Sequence, residues 1–98
     1  MKTLTPAQRQ HLRGLAHGLQ PVVMIGNNGL SAAVIKEIEF ALNAHELIKI
    51  KASSNDLETR RAWMTEICSA TGANPVQQIG KMLVIYRAAE EPVIQFPK

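Results

Sequence analysis

Two groups of residues in this chain have the makings of a binding site: the tetrad Gly26-Asn27-Asn28-Gly29, and a series of cations distributed around it. The tetrad falls between an apolar run and a helical pattern. Free amides and the dipole at a helix start would favour an anion there. Its glycines let a phosphate backbone approach without a side-chain clash, and Asn27 and Asn28 can add donors. Taken alone, the tetrad is first a tight turn in which Gly and Asn tolerate positive φ. Placement argues for more, because ligands of sheets with crossover helices lie outside the carboxyl ends of the parallel strands.

Lys51 closes a predicted strand at that same end, and Arg60 and Arg61 open the following helix. Together they could line a positive groove that tracks a phosphodiester backbone. Arg9, Arg13 and His17 are four residues apart along one helix, a row whose members repel mildly unless an anion meets them. Lys49, Lys81 at a hairpin turn and Arg87 at the end of the last strand complete the set. Each charge taken singly is as readily an ordinary solvated residue. Trp63 could stack on a base, yet a helical Trp beside Met64 and Ile67 is first a partly buried packing residue.

Catalytic patterns are missing. His11, His17 and His45 lack the spacing of a metal site, and Cys68 has no partner thiol and sits on an apolar helix face. No P-loop lysine follows the glycines. The expectation is therefore a protein that is not an enzyme, with no catalytic residue, no metal and no cofactor.

These side chains need elements to hold them. Thr5-Pro6 reads as a helix start, with Leu12, Leu15, Ala16 and Leu19 at helical spacing until Gly18 and Pro21 end the segment. The run 22–25 is uninterruptedly apolar, which predicts a strand buried on both faces. A second helix is predicted over about 31–44, with Val34, Ile38, Ala41 and Leu42 on one face. Over 46–51, Ile48 and Ile50 alternate with Lys49 and Lys51, giving a strand with one wet, basic side. A third helix over about 56–71 turns Leu57, Met64, Ile67 and Cys68 inward and closes on Gly72. Segments 76–79 and 82–87 form a hairpin about Gly80-Lys81. Helices between the first three strands predict their parallel pairing, and the tight turn predicts an antiparallel last strand. The result is an α/β fold of the two-layer α+β type: three helices on a mixed four-stranded sheet.

Ninety-eight residues suffice for one domain, expected over 1–89, with 90–98 an irregular tail because Pro92 and Pro97 break regular structure. With 46% apolar and only 4% aromatic residues, aliphatic side chains must fill the core. The net charge is +3, and residues 1–89 alone carry ten basic against six acidic groups. That surplus permits a polyanionic partner and leaves its placement to decide. One cysteine, no apolar run near bilayer length and no signal-like N-terminus predict a reducing cytoplasmic setting without a membrane partner.

Four features in order resemble the CRM domain, the chloroplast RNA splicing and ribosome maturation module, in its stand-alone bacterial form. They are the strand into Gly26-Asn27-Asn28-Gly29-Leu30, the run His45-Glu46-Leu47-Ile48-Lys49-Ile50-Lys51, the Gly72 helix stop, and Ile79-Gly80-Lys81 leading to Leu83-Val84-Ile85-Tyr86-Arg87. The resemblance implies a fold similar to the C-terminal domain of translation initiation factor three. It also implies a GxxG loop likened to that of KH domains, which clamps a nucleic-acid backbone. The implied role is an RNA-binding assembly factor on large-subunit precursors of the ribosome, with ribosomal RNA as partner, no small-molecule substrate and a monomeric state. It carries over the loop from Gly26 to Gly29, with Lys49, Lys51, Lys81 and Arg87. One departure stands out: the family's loop often has Lys or Arg after the first glycine, where this chain has Asn27, so flanking cations must supply more of the charge.

Overall fold

Thr5 starts the first helix by a reciprocal cap. Its hydroxyl accepts from the Gln8 amide, and the Gln8 side chain accepts from the Thr5 amide, both at 3.1 Å. With Pro6 at the first helical position, α1 spans Pro6–Ala16. The computed structural model describes residues 4–26, 28–94 and 96. Six further elements follow: β1 (Val23–Ile25), α2 (Ala32–His45), β2 (Leu47–Ala52), α3 (Leu57–Thr71), β3 (Asn74–Ile79) and β4 (Met82–Tyr86). Ser31 caps α2 by accepting from the Val34 amide, Asp56 caps α3, and Gly72 ends α3 in the left-handed conformation at φ 75°.

The sheet order is β1-β2-β4-β3, with β1 parallel to β2 and β4 antiparallel to both its neighbours. β3 therefore runs in the direction of β1 and β2 but does not pair with β2, as the predicted parallel pairing of the first three strands required; β4 is inserted between them. Composition explains the exchange. Leu83, Val84, Ile85 and Tyr86 are all buried, which suits a central strand covered on both faces. β3 carries Pro75, Gln77 and Gln78 and a register shift between Pro75 and Gln77, features that a sheet tolerates at its edge.

α2 and α3 pack on one face, where Ile38, Leu42, Met64 and Ile67 meet Val23, Ile25, Ile48, Ile50, Leu83 and Ile85. α1 adds cover on the other face, joining Leu12 and Ala16 to Leu47, Val76, Val84 and Tyr86. The helix does not roof the whole sheet. β1 is an edge strand in which Val23 and Ile25 are buried but Met24 is 59% exposed, so the run 22–25 is covered on one face only. Leu15 and Leu57, predicted to point inward, are also exposed.

The segment after β4 contains no helix or strand in its described residues, yet it is held. The buried Glu46 carboxylate accepts the amides of Ala89, Val93 and Ile94 at 2.7 to 2.9 Å. Phe96 packs edge-on against Tyr86 and His11.

Candidate functional site

Strand directions bring three short connections to one end of the molecule. The amide of Ser53, just after β2, donates to Ile25 at the end of β1, and Ala52 donates to Lys81 in the β3–β4 turn. The glycine loop after Ile25, the 53–55 loop and the Gly80-Lys81 turn therefore share the carboxyl end of the parallel pair. Within the glycine loop, Gly29 donates to Gly26 at 3.0 Å and takes φ 72°, a conformation L side chains rarely adopt. A side chain at Gly29 would also stand 3.7 Å from Cζ2 of Trp63, on which the loop rests. Trp63 is thus a half-buried support packed on the core rather than a free stacking face. Gly26 is exposed, and among the described residues nothing lies within 4 Å of where its Cβ would be, so the chain's own packing does not require glycine there. Asn28 is exposed, and Asn27 lies outside the described residues.

Charge is segregated between the two faces of the sheet. α1, the four strands and the β3–β4 turn carry Arg9, Arg13, Lys49, Lys51 and Lys81 and not one carboxylate. α2 and α3, with the Asp56 cap, carry five carboxylates against Lys36, Arg60 and Arg61. A polyanion approaching the α1 side near the glycine loop meets these cations, while Glu46 lies buried under the tail beyond the opposite end of β2. Arg13 leans over β3, its Nε donating to the Val76 carbonyl at 3.4 Å. His17 and Lys49 border one depression beside Met82, and Lys51 is the register partner of Met82 next to the turn holding Lys81. Arg9 lies one turn back along the same helix and is half-buried.

Three other cations sit elsewhere. Arg60 and Arg61 are in the first turns of α3, at the loop end but in the other layer, and Arg60 Nη1 donates to the Ser54 carbonyl at 2.6 Å. Its charge holds the 53–55 loop. Arg87 follows β4 at the opposite end of the sheet from the glycine loop. Its guanidinium pairs with Glu39 at 2.9 Å and donates to the Thr71 carbonyl and Asn43 Oδ1, tying α2 to the end of α3. That is a structural clamp, remote from the cations of the α1 side.

Burial raises the Cys68 thiol to about 11, so it stays protonated at neutral pH and lacks the thiolate that nucleophilic chemistry needs. Among the described residues no group of His, Cys, Asp and Glu could hold a metal ion, and no helix is long and apolar enough to cross a membrane. Sequence reasoning overlooked that α1 and the strands are free of acids, although a signal existed: Glu37 is the first acidic residue of the chain, and the strands contain none.

The family model of the CRS1 / YhbY (CRM) domain matches residues 4–87. An RNA-binding protein of Haemophilus influenzae is 52% identical over 98 residues, covering 100% of this chain and 99% of that one. A probable RNA-binding protein of Pseudomonas aeruginosa is 40% identical over 89 residues, covering 91% of this chain and 86% of the relative. The solution structure of a hypothetical protein from Staphylococcus aureus superposes with a TM-score of 0.85 at 36% identity, covering 97% of this chain and all of that one.

Proposed function

Because the chain belongs to the CRS1 / YhbY (CRM) domain family, we propose that it binds RNA, without catalysis, as an assembly factor on precursors of the large ribosomal subunit. The observation that carries this reading is the charge segregation: five cations on α1, the strands and the β3–β4 turn, elements that carry no carboxylate, next to a glycine loop with open space over Gly26. Such a surface reads backbone and shape rather than base sequence. The relatives named as RNA-binding proteins support the coarse reading. The ribosomal role draws on the family resemblance set out above.

Sucrose-gradient fractionation at low salt, followed by crosslinking, tests it. The protein should travel with large-subunit precursors and crosslink through residues 26–29 and the α1 side. Retention entirely at the top of the gradient would count decisively against the ribosomal role.

The loop has its own test. Gly29→Glu puts a side chain at φ 72° and a carboxylate where an anion is expected. The strain should lower stability by about 1–2 kcal/mol, with the helical circular-dichroism signal nearly intact. Affinity for a ribosomal RNA transcript should fall at least roughly tenfold, the scale of one lost charge-assisted contact. Gly29→Ala, which brings the strain without the charge, should lose stability similarly and affinity less. Unchanged affinity in Gly29→Glu would remove the loop from the interface.

One surface favours a second reading, attachment through a protein partner. Phe40 on α2 is 78% exposed beside Val22, at the mouth of a shallow cleft on the β1 edge. Under the RNA reading, Phe40→Ser should leave both naked-RNA affinity and gradient position unchanged. Loss of co-sedimentation with naked-RNA binding intact would shift the assignment to the protein partner.

A further inference from the structure

The part of the sheet that α1 leaves open contains a row that neither the glycine loop nor the core explains. Met24 is the register partner of Lys51, Lys51 of Met82, and Met82 of Ile79, so the row crosses all four strands. Neighbours along each strand point to opposite faces. Ile25, Ile50 and Leu83 face the α2–α3 core, so this row faces the α1 side. α1 ends before covering it: Met24 and Ile79 are 59% and 57% exposed, Lys51 is exposed, and Met82 is half-buried between them. A sheet surface normally hides such side chains or replaces them with polar ones. Adjoining the row, at the C-terminal end of α1, is a depression of about 160 Å3 bordered by His17, Lys49 and Gln77. That is well below the roughly 300 Å3 at which small-molecule pockets begin.

We propose that this row is a platform for unpaired bases of the bound RNA, with Lys51 within it and Lys49 and Lys81 beside it meeting the phosphates. The inference rests on the RNA-binding reading and deepens it by naming single-stranded RNA as the part recognised here. Three features favour this occupant over an apolar protein surface. Lysine stands in the middle of the row, where an apolar partner would strand an unpaired charge. No carboxylate lies on α1, the strands or the β3–β4 turn to repel phosphate, and Glu46 sits before the start of β2, at the far end from Lys51. Three strand spacings give the row a width of about 14 Å, comparable to the sheets on which other RNA-binding domains lay two or three bases. Those sheets use aromatic rings. This one offers polarizable thioethers and a branched aliphatic chain, which contact π faces without reading base edges. Recognition at the row is therefore tolerant of sequence and selective for unpaired RNA.

Two RNA probes and one double variant test the platform: a hairpin with a single-stranded oligouridine tail, the same hairpin blunt-ended, and Met24→Thr with Ile79→Thr. Threonine keeps the strand preference of these exposed positions while removing the stacking surface. The native protein should bind the tailed hairpin about tenfold more tightly than the blunt one, and the variant should reduce that ratio to about twofold or less. Binding of the blunt hairpin should be unaffected by the substitutions. In carbon-13 methyl spectra of the native protein, the tailed hairpin should move the Met24 and Met82 methyl resonances upfield through ring currents. The buried Met64 serves as the internal reference. Equal affinity for the two hairpins, equal weakening of both by the variant, or static Met24 and Met82 methyls in the tailed complex would overturn the platform and leave the RNA-binding reading standing. Failure to bind either hairpin would overturn both.

Discussion

Replacing Lys49, Lys51 and Lys81 together with glutamate is expected to weaken binding to a large-subunit ribosomal RNA transcript at least roughly 100-fold, with the fold retained. Each lysine that neutralises a phosphate releases a condensed counterion, and the logarithmic salt dependence falls by about 0.9 per contact on B-DNA and about 0.7 on a single strand. Three lost contacts should flatten the slope by about two on unpaired RNA, and three new carboxylates add repulsion. Lys51 and Lys81 are exposed and Lys49 half-buried, so melting should change little. Net charge alone gives a competing explanation, since the substitutions move the formal charge from +3 to −3. Adding Glu37→Lys, Glu58→Lys and Glu66→Lys returns it to +3 on the opposite layer, where those residues lie. Affinity should not recover, because a polyanion at the α1 side is about a Debye length or more from those charges. Recovery in the six-fold variant would show that bulk charge, and not the cations of the α1 side, controls binding.

Glu46→Ala should be the most destabilising single substitution of a charged residue in the chain, by about 3 kcal/mol. Glu46 is buried and sits at φ 63°, ψ −52°, a strained conformation for an L residue. It is held there on every side: its amide donates to Leu42, its carbonyl accepts from Arg87, and its carboxylate takes the amides of Ala89, Val93 and Ile94. Hydrogen bonds to a charged acceptor contribute about 1.5–3 kcal/mol each, and release of the ordered tail offsets part of the loss. For a domain of this size the melting temperature should drop by roughly 12 to 24 °C. Hydrogen exchange at Ala89, Val93 and Ile94 should accelerate first, since their acceptor is gone. Glu46→Gln keeps the shape without the charge and should lose about half as much.

The same contact predicts an acid-sensitive tail. Burial pushes the Glu46 carboxyl up, but the amides of Ala89, Ile94 and Val93 outweigh it and leave the group below its ordinary value. A depressed folded-state pKa means that the stabilisation is complete above the unfolded value, about 4.3 for glutamate. It is lost as pH falls through the folded value. Faster exchange of the tail amides should therefore appear below about pH 4.3 and be absent at neutral pH. The Glu46 charge also bears on Tyr86, whose hydroxyl is raised first by burial and then by that carboxylate. Tail, Tyr86 and α1 thus share one cluster, and loosening the tail should weaken the packing of α1 on the sheet.

Features set by near neighbours in the chain could be read before any fold was known. The Thr5–Gln8 cap, the Ser31 and Asp56 caps, the Gly72 stop and the alternation of Ile48 and Ile50 with Lys49 and Lys51 depend on residues two to four positions apart. So does the glycine loop between a strand and a helix. The remaining features follow from how distant segments meet in the fold. The slot for β4 between β2 and β3 depends on which strand can be buried on both faces, a comparison of segments far apart in the chain. Lys51 and Arg87 look alike in sequence, each a cation at the end of a strand-forming run. Opposed strand directions send one to the loop end and the other to a clamp on Glu39, Asn43 and Thr71. Met24 belongs to an apolar run that reads as core, and only the reach of α1 leaves it in solvent. Charge and exposure at a surface are sums over segments folded together, and local periodicity does not contain the terms of that sum.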